Sequence, residues 1–140
     1  MKKPGKVENN NASEESLLVS CDRVSSERYQ AFIESIEEGV YEVDLQGNFL
    51  YFNNAFCRVL GYPGEEVQFQ NFSKFMSPAY AKKALETFNR IHQTGKGFSD
   101  LMWKFKAKNG EIRMIELSAN LIVGNGDEPV GFRGIARDVT

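Results

Sequence analysis

The stretch GVYEVDLQGNFLYFNNAFCRVLGY, Gly39 to Tyr62, changes its period twice. From Gly39 to Asp44 the side chains alternate, with Tyr41 and Val43 on one face and Glu42 on the other. That is the spacing of a half-buried strand. Gln46-Gly47-Asn48 predicts a turn and Phe49 to Asn53 a second strand, so the pair reads as a β-hairpin. A short helix over Asn54–Leu60 follows and stops at Gly61, where glycine can take the left-handed conformation. Asp44 and Asn53 stand at the changes of direction, where short polar side chains bond nearby backbone groups.

Upstream, residues 1–12 read as a disordered leader. Ser13 is a plausible N-cap for an amphipathic segment with Leu17, Leu18, Cys21 and Val24 on one stripe. A second helix is expected after Ser26, with Tyr29, Phe32, Ile33 and Ile36 as its stripe and Gly39 as its stop. Downstream, Glu65-Glu66-Val67 predicts one turn of helix. The clearest helix runs from Pro78 to Gln93, capped by Ser77 and closed by Gly95. Ala81, Ala84, Leu85, Phe88, Ile91 and His92 share its broad inner face. Three strands follow. Leu101, Trp103, Phe105 and Ala107 alternate with polar or exposed positions, Asn109-Gly110 marks a hairpin, and Ile115, Leu117, Ala119 and Leu121 alternate in turn. Gly124–Glu128 is a turn and Val130–Val139 the last strand. Five strands with helices clustered between the second and third predict an α+β domain, its antiparallel sheet covered on one face. The division expected is a leader and flanking helix over 1–25 and a folded domain over 26–140.

Composition narrows the function. Lys and Arg total 17 against 19 Asp and Glu in 140 residues, a net charge of −2. A sequence-blind nucleic-acid binder would need a basic field, so none is expected as partner. No apolar run approaches the roughly 18 residues that span a bilayer, and no membrane contact is expected. The leader has no apolar core of the secretory kind, and two cysteines, Cys21 and Cys57, make no disulfide scaffold. A cytoplasmic location is the expectation. There are 11 phenylalanines and a single histidine, His92. No nucleophile–base pair, zinc spacing or phosphate loop is present, and Glu37-Glu38 and Glu65-Glu66 read as solvated surface. The chain is therefore not expected to be an enzyme, and no metal site is expected.

The element order, with motifs over Glu38–Val67, Phe88–Lys96, Lys106–Ile122 and Glu128–Thr140, resembles the PAS (sensory-box) domain across about 26–140. The resemblance implies the PAS fold: a five-stranded antiparallel sheet with helices packed on one face, plus an N-terminal flanking helix. It further implies a sensory or regulatory module of a signal-transduction protein, of the kind found in bacterial sensor histidine kinases and two-component systems. Such a module binds a small ligand in the core, mediates dimerisation, or both. The alternative is a ligand-free interaction module of the same fold. The closing RDVT resembles the family's Asp-Ile-Thr junction, which makes Asp138 and Thr140 the signal-junction residues. An output domain, a histidine kinase or a cyclic-dinucleotide enzyme, is then expected in a longer parent protein.

Projecting that fold onto the residues gives a candidate ligand site of Tyr41, Val43, Phe56, Phe72, Phe88, Trp103, Phe105, Leu117, Ala119, Gly134 and Ala136. Further apolar residues are expected on the same inner surface: Leu101, Ile115 and Phe132 from the sheet, and Leu60, Phe75, Met76 and Leu85 from the helices. Small residues at 119, 134 and 136 would leave room beside the aromatics for a small apolar or aromatic ligand, whose identity is unknown. In the light-sensing LOV subclass the resemblance places the adduct-forming cysteine at Phe72 and the flavin-reading glutamine at Ala136, while Cys57-Arg58 lies in the wrong helix. In haem sensors it places the axial histidine at Ala84, eight residues before His92. The residues thus argue against haem and LOV-type flavin. The stripe Leu17, Leu18, Cys21 and Val24 is too short to stand alone, and family practice makes it a homodimer surface.

Overall fold

The computed structural model describes residues 27–140. Residues 27–35 are helical (α1) and belong to a unit that ends at Ser35; the unit Ile36–Thr140 holds everything that follows. Its elements are β1 (Gly39–Asp44), β2 (Phe49–Phe52), α2 (Asn54–Leu60), α3 (Gly64–Val67), a 3₁₀ turn (Phe72–Phe75), α4 (Pro78–Thr94), β3 (Phe98–Lys106), β4 (Ile112–Val123) and β5 (Pro129–Asp138). The strands hydrogen-bond in the order β2-β1-β5-β4-β3, and every neighbouring pair is antiparallel. α2 packs on β1 and β5, and α4 on β3 and β4, so the helices cover one face of the sheet. The expected α+β architecture is the one observed.

Three expectations need correction. The helix expected to run to Gly39 ends at Ser35, its Phe32 is exposed, and Gly39 instead opens β1 with its backbone close against Phe56 of α2. On α4, Leu85 is 50 % exposed and His92 is exposed. The buried stripe of that helix is the narrower Ala84, Phe88 and Ile91. β3 begins at Phe98 rather than Leu101, because a register shift between these residues breaks the alternation; Asp100 sits there at φ 61°. The expected flanking segment with Leu17, Leu18, Cys21 and Val24 lies outside the described residues.

The strand-to-helix corner that begins α2 depends on one side chain. Asn53 is 1 % exposed. Its Oδ1 accepts from the Val40 N–H of β1 at 2.9 Å and from the Phe56 N–H in the first turn of α2 at 2.9 Å. Its Nδ2 donates to the Glu38 carbonyl at 3.1 Å. One amide therefore caps a helix, anchors β1 and holds the chain entering it. The other end of α2 is closed by Gly61 at φ 85° and by Arg113 of β4, whose Nη1 donates to the Arg58 and Val59 carbonyls at 2.8 and 2.9 Å.

Replacing Asn53 by alanine removes the cap and strands buried backbone groups, for an expected loss of about 2–3 kcal/mol. Urea unfolding followed by circular dichroism measures it. Asn53→Asp keeps the Oδ1 acceptor but turns a buried carboxylate oxygen toward the Glu38 carbonyl, so it is expected to destabilise as well; an Asn53→Ala variant within about 0.5 kcal/mol of the parent would contradict the capping account.

Candidate functional site

Between the inner sheet face and the helices lies a cavity of about 20 Å³, lined by Tyr41, Val43, Phe49, Phe56, Phe72, Met76, Phe88, Trp103, Phe105 and Leu117. Eight of the eleven expected site residues border it. Ala119, Gly134 and Ala136 are buried but do not, and at Gly134 the reason is Tyr41. Its hydroxyl donates to the Ser118 carbonyl at 2.7 Å. A Cβ on Gly134 would lie 2.8 Å from that hydroxyl and 1.8 Å from the Ser118 oxygen. The room expected beside the small residues is taken by the phenol and by the close backbone of β4. Burial pushes the Tyr41 pKa up, so the phenol stays protonated and remains a donor.

Phe49 is the lining residue missing from the sequence expectation. Its signal was present: it pairs with Val43 across the hairpin, and cross-strand partners share a face. Around the cavity the rings interlock. Phe88 lies 5.4 Å from Phe72, 6.1 Å from Trp103 and 4.8 Å from Phe132, centroid to centroid. Tyr41 and Phe49 meet Phe56 at 5.7 and 5.4 Å. No charged side chain lines the space.

A 20 Å³ cavity has room for about one water, whereas small-molecule sites are typically ~300–1,000 Å³. A charged ligand would also find no countercharge there. The haem and flavin positions fit no better. Phe72 is buried at the adduct position, and Cys57 is half-buried in α2 and does not line the cavity. Ala84 is buried where a haem ligand would stand, and the exposed His92 is in the last turn of α4. Among the described residues no cluster of His, Cys, Asp and Glu could hold a metal ion. The residues present do not fit either cofactor.

At the end of β5 the expected junction residues meet. Asp138 Oδ1 accepts from the Thr140 N–H at 3.0 Å and from its hydroxyl at 2.5 Å. Thr140 Oγ1 in turn accepts from the Met114 N–H of β4 at 3.0 Å, and the Val139 N–H donates to the Met114 carbonyl at 2.9 Å. The chain leaving β5 is thereby tied to β4. Donation from the Thr140 hydroxyl and N–H lowers the Asp138 pKa below its ordinary value.

An antiparallel sheet roofed by helices over an aromatic core defines this as an α+β domain with a closed, apolar interior. The PAS-fold family model matches residues 27–139, and the chain belongs to that family. Solved structures agree. A PAS domain from Colwellia psychrerythraea superposes with a TM-score of 0.73 at 22% identity, covering 84% of this chain and 98% of that one. The PAS domain of an HTR-like protein from Haloarcula marismortui gives 0.70 at 19% identity, covering 92% and 100%. A domain of a sensory box sensor histidine kinase/response regulator from Geobacter sulfurreducens gives 0.67 at 26% identity, covering 81% and 94%. No curated protein matches the chain. No helix among the described residues is long and apolar enough to cross a membrane.

Two outcomes are expected of these sites. Phe88→Ala opens a void continuous with the cavity, so stability falls by about 3–5 kcal/mol and indole restores part of it by binding the folded state. Thermal unfolding with and without indole reads this; a variant as stable as the parent would contradict the tight packing. For Asp138, a lowered pKa means its contribution is present above the ordinary carboxylate range and lost as pH falls through the lowered value. An NMR titration should place Asp138 below 3.8, its ordinary value. Thr140→Val should move it back up, and a titration at or above 3.8 in the parent chain would exclude the Asp138–Thr140 link.

Proposed function

We propose that this PAS domain is a regulatory module of a signalling protein that works without a resident haem or flavin. It passes changes in core packing or in protein contact through Asp138 and Thr140 to an attached output domain. One observation carries the reading: the junction is hydrogen-bonded to Met114 of β4, and three residues along the same strand Leu117 lines the core cavity. A change in packing at the cavity therefore has a short route to the chain exit, along β4 from Leu117 to Met114 and then through the Met114 hydrogen bonds to Val139 and Thr140. The Geobacter neighbour, and another described as a PAS domain from a two-component sensor histidine kinase, support signalling as the setting.

The reading carries with it a non-enzymatic domain in a longer, cytoplasmic parent, whose output is a histidine kinase or a cyclic-dinucleotide enzyme. It also carries a homodimer held through the flanking segment. The small cavity favours a second version, in which the module acts by protein contact and takes no core ligand. A small apolar or aromatic ligand would require the core to open first.

Fusing the full chain to a reporter histidine kinase tests the route. Asp138→Ala is expected to change basal kinase output at least about threefold while the domain stays folded, since a coupling of 1 kcal/mol already exceeds that factor. Unchanged output in a folded Asp138→Ala fusion would remove the junction from the mechanism. The purified parent chain is expected to show no flavin or Soret absorbance.

A further inference from the structure

A groove of about 470 Å³ lies outside the core and includes Lys104, Phe105 and Lys106 of the edge strand β3. The opposite sheet edge is covered: β2 is bonded by the Phe69 N–H to the Phe49 carbonyl and by the Phe49 N–H to the Gln70 carbonyl, both at 2.9 Å. Phe75, Met76 and Tyr80 supply the apolar wall of the groove, and Lys74 joins the two β3 lysines. Lys83 adds a further ammonium group 5.3 Å from the Tyr80 ring. None of these four lysines is ion-paired among the described residues, and no acidic residue lines the groove. In a chain of net charge −2 that is a local concentration of positive charge.

The groove also borders the core. Met76 and Phe105 line both this space and the inner cavity. Met76 is 9 % exposed, and methionine is the most adaptable of the apolar side chains. Lys74 Nζ donates to Gln70 Oε1 at 3.4 Å, but no lysine of the groove has a carboxylate partner, and ammonium groups without countercharge beside an aromatic wall suit an anion carried on an apolar body. The volume is that of a small-molecule site.

We propose that this groove binds a small amphiphilic anion, an alkyl or aryl carboxylate. The carboxylate is held by Lys104, Lys106 and Lys74, and the tail lies against Met76 and Tyr80. Met76 is then the movable wall between the groove and the core cavity. The site stands whether or not the domain relays a signal. An acidic peptide laid along the β3 edge is the competing occupant; the shared wall with the core favours the small molecule.

The chain carries four methionines, so methyl-labelled methionine gives a sparse NMR reporter set in the full protein. Met102, exposed on the same strand and absent from the groove lining, is the internal control. Octanoate below its micelle concentration is titrated against octan-1-ol and an extended glutamate-rich peptide. The Met76 methyl is expected to shift saturably with octanoate while Met102 stays in place. Octan-1-ol should need about tenfold higher concentration, and raising salt severalfold should weaken octanoate alone. The double variant Lys104→Gln, Lys106→Gln should weaken octanoate by about tenfold and leave octan-1-ol unchanged. Equal affinity for the alcohol, a shift at Met102 without Met76, no shift at all, or tighter binding of the peptide would each overturn the proposal.

Discussion

The Tyr41 hydroxyl bond to the Ser118 carbonyl is the interaction on which the interior depends. The β4–β5 ladder runs as far as Leu117↔Ala136 and resumes at Asn120↔Arg133. In the gap, the Ile135 N–H donates to Ser118 Oγ at 3.0 Å, and the Ser118 carbonyl is left for Tyr41. A buried carbonyl without a partner would cost about 1–3 kcal/mol, so the phenol repairs an opening in the sheet. The repair needs glycine at 134, directly opposite Tyr41 in the β1–β5 register, because any Cβ there meets the hydroxyl and the carbonyl. Tyr41 is thereby fixed across three strands. Its ring, held in place, sets where Phe49 and Phe56 can lie.

That constraint explains why small residues do not make a large pocket. Gly134 accommodates the Tyr41 side chain from a neighbouring strand and the close approach of the β4 backbone, and Ala119 and Ala136 are fully buried without reaching the cavity. The remaining volume is divided among Phe, Trp and Met side chains, each in contact with several others. Such an interior is packed to the density of a crystal and does not deform by small degrees. It changes by moving a side chain from one arrangement to another. Met76 is the side chain best suited to do so, because it is unbranched and stands at the edge of the core.

Much of this was legible in the sequence. Period changes at Gly39–Tyr62, the Ser77-Pro78 start and the Asn109-Gly110 turn each state their structure locally, and all three elements are where the residues put them. The family resemblance supplied the single five-stranded sheet with helices on one face; the strand order itself came from the structure. What stayed hidden depends on contacts between distant residues. Nothing near Gly134 announces a phenol from 93 residues earlier, so its smallness read as free space. Leu85 and His92 looked inward because a helical stripe was drawn too broad; the buried positions of α4 are Ala84, Phe88 and Ile91, with Tyr80 and Ala81 packed at the margin. The groove was invisible for the same reason: Lys74 and Tyr80 come from one part of the chain and Lys104 and Lys106 from another, and only Lys106 falls within a motif, at its first position.

The contrast between 11 phenylalanines and one histidine now has a physical location. The phenylalanines that matter to the site are inside, without a charge or a metal-binding group among them, while His92 is on the surface. The hydroxyl that lines this cavity, that of Tyr41, is already bonded to the Ser118 carbonyl, and no charged group faces the space. In the function proposed above, such an interior would respond to what displaces packed atoms: a contact that presses on the sheet or a molecule that enters through its wall. The charged groups that could select such a molecule are outside the core, and the groove that Lys104 and Lys106 line shares Met76 and Phe105 with the cavity. On the two proposals together, selection by charge and response by packing would fall to two adjoining regions of one small domain.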